Sequence, residues 1–293
     1  MISIVIPTYN SAKLLSLCLT ALRRQTLFLK DRIEVIICDD GSSDATYEVV
    51  RNFIETVDIK VQYIYQKDAG FRAGEARNRG VDLSTPHSTG ILFVDSHVLL
   101  NEMALEHFSN IHDANPDALV VGRYDWLTPM KITEMDVEKR FTFIELGRLP
   151  KDESLTKDLG IQGEDPRHAR RPDLFDSSKV QPVFASDIYS GNLLVPRQAF
   201  RDLGGFDEKM IGHGGEDCEL GIRFKKAGYK AIYSPEVIGY HQCHERNQKK
   251  NVAERDKNIE YIEYKHSIKL AGLIKNKNDL IEKHEDKHNN PDV

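Results

Sequence analysis

The chain has no run of about 18 or more apolar residues, so it encodes no membrane-spanning helix. Its opening residues, MISIVIPTYN, lack the charged stretch and cleavage site of a secretory leader. These two absences lead to the expectation of a soluble, cytoplasmic protein. Cysteine is scarce: Cys18, Cys38, Cys218 and Cys243 lie far apart with no CxxC pair. That excludes a disulfide framework and leaves reduced thiols, three of them expected as core filler. There is no basic excess either. Lys and Arg total 40 against 46 Asp and Glu, a net charge of −6, which excludes a protein whose main partner is nucleic-acid phosphate.

What is present is a 293-residue chain, 40% hydrophobic, enough to bury the core of one large α/β domain. Its first half alternates strand and helix. Ile2–Ile6 is a β-branched run ended by Pro7, and Leu15, Cys18, Leu19 and Leu22 recur at helical spacing behind the capping residues Asn10 and Ser11. Ile33–Cys38 is a second strand, halted by Asp39-Asp40-Gly41-Ser42-Ser43-Asp44 before a helix carrying Tyr47, Val50 and Ile54. Val61, Tyr63 and Tyr65 alternate as a third strand, and Ile91–Val94 is a fourth. Strands apolar on both faces that alternate with helices imply a mostly parallel sheet sandwiched by helices.

A further strand is expected from about Leu119 to Trp126. Residues 128–179 then lose periodicity and become rich in charge and proline, the pattern of a lid or binding loop. Arg167, His168, Arg170 and Arg171 would belong to that acceptor-side segment. Gly191–Val195 restores a strand, Pro196 opens a helix, and Glu216–Ala227 is a helix stopped by Gly228. Beyond Glu245 a charged stretch with Ile259, Ile262, Leu270 and Leu273 as a partial stripe predicts amphipathic helix, fraying from about His284. Its lysines, Lys249, Lys250, Lys257, Lys265, Lys269, Lys275 and Lys277, leave a peripheral membrane contact open, although interleaved acids favour a solvated helix packed on the domain.

In an open parallel sheet, ligands bind beyond the carboxyl ends of the strands. Three such ends here are polar: Pro7-Thr8-Tyr9-Asn10, Asp39-Asp40-Gly41-Ser42 and Asp95-Ser96-His97. Each alone reads equally as a capping turn. Asp95 and His97 are spaced to face the same side, and a carboxylate with an imidazole suits Mn²⁺ better than Mg²⁺. Gly214-Gly215-Glu216-Asp217 brings two carboxylates to a helix start, and Tyr240-His241-Gln242-Cys243-His244 follows. Acids at a helix N-terminus also serve simply to complement its dipole.

In this order the motifs resemble the family 2 glycosyltransferases of the GT-A fold: Pro7-Thr8-Tyr9-Asn10, Asp39-Asp40-Gly41-Ser42-Ser43-Asp44, Ala76-Arg77-Asn78-Arg79-Gly80, Asp95-Ser96-His97 and Glu216-Asp217. The resemblance runs from about residue 1 to 245. One departure is His97, where the family's metal motif usually has a second Asp. That D-x-H variant is similar to the polypeptide N-acetylgalactosaminyltransferases and to some animal galactosyltransferase-type domains. Gly214 through Arg223 resembles the C-terminal motif of those enzymes and of bacterial chondroitin polymerases, and Gln66-Lys67-Asp68 with Arg77-Asn78 is similar to the latter.

The resemblance implies a GT-A, Rossmann-like domain over 1–245. Its nucleotide-binding half would be about 1–100, its acceptor and catalytic half 101–245 with a lid at about 128–179, and 246–293 a charged helical extension. It also implies residue roles. Thr8 and Asp39 would hold a uracil edge, since a carboxylate accepts its N–H, with Pro7, Tyr9, Asn10, Asp40 and Ser96 around the nucleotide. Arg72 and Arg77 would reach the diphosphate or sugar, unless either is a solvated helix-face arginine. Asn192 would lie under the donor sugar, unless it only ends a strand.

Asp95 and His97 would hold a divalent ion, Mn²⁺ or Mg²⁺, with His241 preferred over His244 as third ligand because it is nearer the apolar strand. Asp217 would be the general base of a direct displacement and Glu216 would orient a hydroxyl, or the two roles would be exchanged. The implied activity is inverting transfer of a hexose or N-acetylhexosamine from a UDP-sugar to a hydroxyl or thiol on a glycan, peptide or other soluble acceptor. Two other classes remain at this stage. A sugar nucleotidyltransferase would want a glycine-rich basic loop after the first strand, which Asn10-Ser11-Ala12-Lys13 is not. A sugar-nucleotide or glycan-binding module without chemistry would not need Asp95, His97, Glu216 and Asp217 together.

Overall fold

The computed structural model describes residues 1–28, 31–127, 134, 137, 161–163, 165, 167–175, 183–242, 244 and 248–270. Among these residues nine strands form one sheet: β1 (Ile2–Thr8), β2 (Ile33–Asp39), β3 (Lys60–Tyr65), β4 (Gly90–Val94), β5 (Val98–Leu100), β6 (Ala118–Leu127), β7 (Ile161–Gly163), β8 (Asn192–Pro196) and β9 (Lys230–His241). Their order is β3-β2-β1-β4-β8-β6-β9-β5, with β7 pairing β6.

The first four strands are parallel, as the alternation of strand and helix implies. Beyond β4 the sheet is mixed. β8 runs antiparallel to both β4 and β6, β9 is parallel to β6, and β5 is antiparallel to β9. The change follows from chain length. A parallel neighbour needs a crossover of about a dozen residues, but only Asp95, Ser96 and His97 separate β4 from β5. The chain therefore turns a corner and resumes at the far edge of the sheet, and the D-x-H motif is that corner.

Helices cover both faces. On one, α1 (Ala12–Arg23), α2 (Thr46–Thr56) and α4 (Ala104–Ala114) bury Leu15, Leu19, Leu22, Val50, Phe53 and Phe108 with Ile4 and Ile6 of β1. On the other, α3 (Ala73–Leu83), α5 (Arg197–Asp202) and α6 (Glu216–Lys226) bury Ala76, Val81, Phe200, Leu220 and Phe224 with Val5 and Phe93. Successive residues of β1 thus enter different cores, as the period of two requires. Ser11 does not cap α1 with its side chain; Asp44 Oδ2 accepts the Ala12 N–H instead, at 3.0 Å.

The charged C-terminal stretch forms α7 (Gln248–His266). Ile262 and Leu270 are buried with Met210, Cys218 and Ile222, and Ile259 packs beside them. Three residues of the apolar stripe, Ile259, Ile262 and Leu270, thereby pack on the domain's own surface. Among the described residues no helix is long and apolar enough to cross one. Cys18, Cys38 and Cys218 are buried, as expected of core filler. The expectations for Cys243, for 271–293 and for most of 128–179 fall outside the described residues.

Candidate active site

The carboxyl ends of β1 and β2 form one rim. Asp39 is buried, and its Oδ1 accepts the N–H groups of Gly41 and Ser42 at 3.1 and 2.7 Å while Oδ2 accepts the Tyr63 hydroxyl at 2.6 Å. Asn10, at a positive φ of 44°, donates its N–H to Ser42 Oγ and accepts the Ser43 N–H at Oδ1, both at 2.8 Å, locking the two turns together. Thr8, Ser11 and Ser96 form a hydroxyl chain with steps of 2.8 and 3.1 Å, linking this rim to the β4–β5 corner. Tyr9 is about half exposed and donates to Asp68 Oδ2 at 3.0 Å. Asp40 is buried behind the rim, accepting from Gln66 Nε2 and the Arg72 N–H. Burial raises its carboxyl above the ordinary range, and those two donors offset this only in part.

At the corner the carboxylate and imidazoles meet. His97 Nε2 lies 3.7 Å from Asp95 Oδ2. Val98 pairs with His241 in register, which brings the end of β9 against the corner. His97, His241 and His244 each offer a nitrogen within 4.8 Å of the others. His241 is 1% exposed, its ring tilted against that of Trp126, its partner on β6, at 4.1 Å between centroids. His244 is half-buried and 4.7 Å from His97 by centroid, so the structure brings both downstream histidines to the site rather than His241 alone. Three imidazoles beside a carboxylate fit a borderline divalent ion such as Mn²⁺, and fit Mg²⁺, which prefers oxygen, less well. Gly191 is required here, since a Cβ would stand 2.6 Å from Asp95 Oδ2 and 2.9 Å from the Tyr124 hydroxyl.

Arg77 joins this cluster to the acidic helix. It is 3% exposed, donating to Asp95 Oδ1 at 2.7 Å and to Glu216 Oε1 at 3.4 Å, with its guanidinium 5.3 Å over the Phe206 ring. Arg77, expected from the sequence to reach the diphosphate or sugar, thus also ties Asp95 to Glu216. Arg72 is similarly engaged, donating to Glu75 and to the Lys67 carbonyl. Burial works to raise Asp95, but Arg77 and then His97 outweigh it and hold the carboxyl below its ordinary range. Glu216 goes the other way. Burial, then the charge of Asp217, pushes it up to about 7, which Arg77 only partly opposes. Its Oε2 is buried without a hydrogen-bond partner. Asp217 is partly exposed and accepts the Cys218 N–H at Oδ1, 2.7 Å away. The pair therefore offers a protonatable carboxyl beside a carboxylate at a positive helix terminus.

Two residues expected at the site make buried contacts within the fold. Asn192 is 1% exposed and donates to the carbonyls of Arg123 and Val237 at 2.9 and 3.3 Å, bridging β6 to β9 where their register slips. Its amide nitrogen fastens the strand ends, while its Oδ1 is buried without a hydrogen-bond partner. Arg167 is fully buried rather than part of a lid surface. It pairs with Asp165, donates to the carbonyls of Asp187 and Gly122, and lies between Tyr189 and Tyr233 at 4.7 and 5.0 Å. Sequence reasoning misses Tyr63 and Trp126 as site residues. The available signal for Trp126 is its place as the only tryptophan, at the end of a strand expected to reach the site.

Comparisons with known proteins agree with this fold. The model of Glycosyl transferase family 2 matches residues 3–160, and that of the N-terminal domain of galactosyltransferase matches 175–248. Validoxylamine A glucosyltransferase of Streptomyces hygroscopicus subsp. jinggangensis is 33% identical over 284 residues, covering 94% of this chain and 63% of that protein. Chondroitin synthase of Escherichia coli is 28% identical over 252 residues, covering 82% of this chain and 34% of the other. This chain thus spans less than two thirds of the length of those relatives. Among solved structures, S. aureus TarS 1–349 in complex with UDP-GlcNAc superposes with a TM-score of 0.60 at 16% identity, covering 84% of this chain and 59% of that one. The mannosyltransferase PcManGT from Pyrobaculum calidifontis, in complex with GDP-Man and Mn²⁺, gives 0.53 at 20% identity, covering 84% and 58%. The shared fold is GT-A.

Proposed function

The chain belongs to glycosyl transferase family 2, and from that premise we propose that it is a metal-dependent inverting glycosyltransferase moving a hexose or N-acetylhexosamine from a UDP-sugar to a hydroxyl, or a thiol, on a glycan, peptide or other acceptor. The observation that carries the reading is the convergence, at one sheet edge, of Asp95 and three imidazoles with an acidic helix start, joined through Arg77. A binding module would gain nothing from a buried carboxyl left with an unpartnered oxygen, whereas a transferase uses one to orient a hydroxyl. A nucleotidyltransferase would need basic side chains free at the phosphates, and Arg72 and Arg77 are both engaged by carboxylates. The UDP and UDP-GlcNAc of the TarS complexes support a UDP-sugar as donor.

In this reading the β1–β2 rim takes the nucleotide: Thr8 and Asp39 face the base, with Pro7, Tyr9, Asn10, Asp40 and Ser96 around it. Asp95, His97 and His241, with His244, would hold a divalent ion, Mn²⁺ in preference to Mg²⁺, which when bound offsets negative charge on the departing diphosphate. Arg77 keeps Asp95 ionised and turned toward the histidines. Asp217 takes the proton from the acceptor as it attacks the anomeric carbon on the face opposite the diphosphate, so configuration inverts. Glu216, protonated near neutral pH, donates from Oε2 to a sugar oxygen and thereby fixes the attack geometry. The transferase domain is assigned to 1–245, its nucleotide half ending near 100, with 246–293 an extension. A screen of UDP-sugars for hydrolysis without acceptor tests the reading: release of UDP that requires Mn²⁺ and favours one sugar is expected, and no release from any would refute it.

A further inference from the structure

The segment that presents Glu216 and Asp217 has little stiffness of its own. Gly212, Gly214 and Gly215 stand at φ of +90°, +90° and +98°, and Gly215 caps α6 without any side-chain bond. Glycine surrenders the most backbone freedom on folding, so a turn built from it must be held from outside. The holder is α7, which begins at Gln248, where the second family-model match ends. Glu254, Asn258, Ile262 and His266 recur every four residues and so share one helix face, with Lys265 beside them.

Each of these side chains meets the acidic turn or its helix. Glu254 Oε2 accepts the His213 N–H at 2.9 Å, and Asn258 Nδ2 donates to the Gly214 carbonyl at 2.9 Å. A Cβ on Gly212 would meet Glu254 at 2.8 Å, and one on Gly215 would meet Ile262 at 3.3 Å. Lower on α6, buried Glu219 accepts from Lys265 at 2.7 Å and lies 3.0 Å from His266 Nε2. Asn258 and Ile262 are themselves buried. On its opposite side the turn is tied by the Gly212 N–H to the Phe71 carbonyl at 3.1 Å.

We propose that α7 is the strut that sets where Glu216 and Asp217 stand, with Asn258 and Glu254 as positioning residues that act on the glycine turn and touch no substrate. The inference rests on the transferase reading only for its kinetic consequence; the mechanical claim stands without it. A displacement of about 1 Å at a catalytic group costs on the order of 10²-fold in rate, so loosening the turn lowers turnover while leaving the nucleotide rim intact.

The test uses the full chain with Asn258→Asp, which keeps the size and removes the donor, Glu254→Ala, which removes the acceptor, and Glu254→Gln, which keeps one. Hydrogen exchange is followed at the His213 amide and across residues 206–220, UDP affinity by calorimetry, and turnover with the best UDP-sugar. Expected are faster exchange confined to the turn and a fall in turnover of at least about tenfold for Asn258→Asp and Glu254→Ala. UDP affinity should stay within about twofold, and Glu254→Gln should restore most of the loss. Exchange at the turn identical to the unsubstituted chain overturns the proposal whatever the activity. Equal losses in UDP affinity and turnover, or failure of Asn258→Asp and Glu254→Gln alike to fold, overturn it in favour of a general stabilising role. Absence of transfer by the unsubstituted chain refutes the transferase reading instead, and the exchange measurement still decides the strut.

Discussion

Replacing Glu216 by Gln should make the protein more stable in mild alkali and leave it unchanged in mild acid. Burial and Asp217 lift the Glu216 carboxyl from 4.5 to about 7 in the folded chain, whereas the unfolded chain titrates near the ordinary value. Between those limits the folded state holds a proton that the unfolded state has released, so stability falls as pH rises through that window. At about 1.36 kcal/mol for each pH unit, the span corresponds to about 3 kcal/mol. The Glu216 side chain is 13% exposed, which leaves little solvent screening to reduce that figure. An amide cannot ionise and escapes the loss. Urea unfolding at pH 5 and pH 8 would measure it. The Glu216→Gln chain and the unsubstituted chain should agree within about 1 kcal/mol at pH 5 and diverge by about 3 kcal/mol at pH 8, the substituted chain being firmer. A difference independent of pH, or greater stability of the native chain at pH 8, would refute the argument. The same substitution should slow transfer, because a site that keeps a strained carboxyl gives up stability for function.

Asp217→Asn keeps the side-chain size and removes its basicity, so kcat should fall by about 10²–10⁴-fold while UDP-sugar affinity stays within a few-fold; unchanged turnover would remove Asp217 from the role of base. Arg167→Met should cost about 3–5 kcal/mol in urea unfolding, because Asp165, itself wholly buried, loses its cation. A loss below about 1 kcal/mol would show that Arg167 lies at the surface after all.

In the nucleotide half β1, β2 and β4 are legible in the sequence because both their faces are apolar and β3 because its apolar residues alternate, and the rim because Asp39-Asp40-Gly41 and Pro7-Thr8-Tyr9-Asn10 end β2 and β1 abruptly. The mixed half is not. Its pairing depends on β5 jumping to the far edge, a consequence of the three-residue corner that local periodicity does not express. The metal cluster is half visible: spacing places Asp95 with His97, but only the register of Val98 against His241 decides that His244 also arrives. Arg77 and Arg167 read as ligand-facing because arginine usually reaches solvent; local sequence does not express that Arg77 also pairs with Asp95 and Glu216, or that Arg167 is buried between Tyr189 and Tyr233. The strut is hidden for a similar reason, since α7 looks polar until Glu254, Asn258 and Lys265 are seen to spend their charges and donors on α6 and the turn before it.

On the proposed reading, one sheet edge binds a uridine diphosphate together with a divalent ion held by Asp95 and the histidines. Calorimetric titration of UDP into the protein with Mn²⁺, with EDTA, and with Mn²⁺ after His97→Ala tests it most directly. Binding at one site with Mn²⁺, weakened at least about tenfold both by EDTA and by His97→Ala, is the predicted result; UDP affinity indifferent to Mn²⁺ and to His97, or no UDP binding at all, would contradict it.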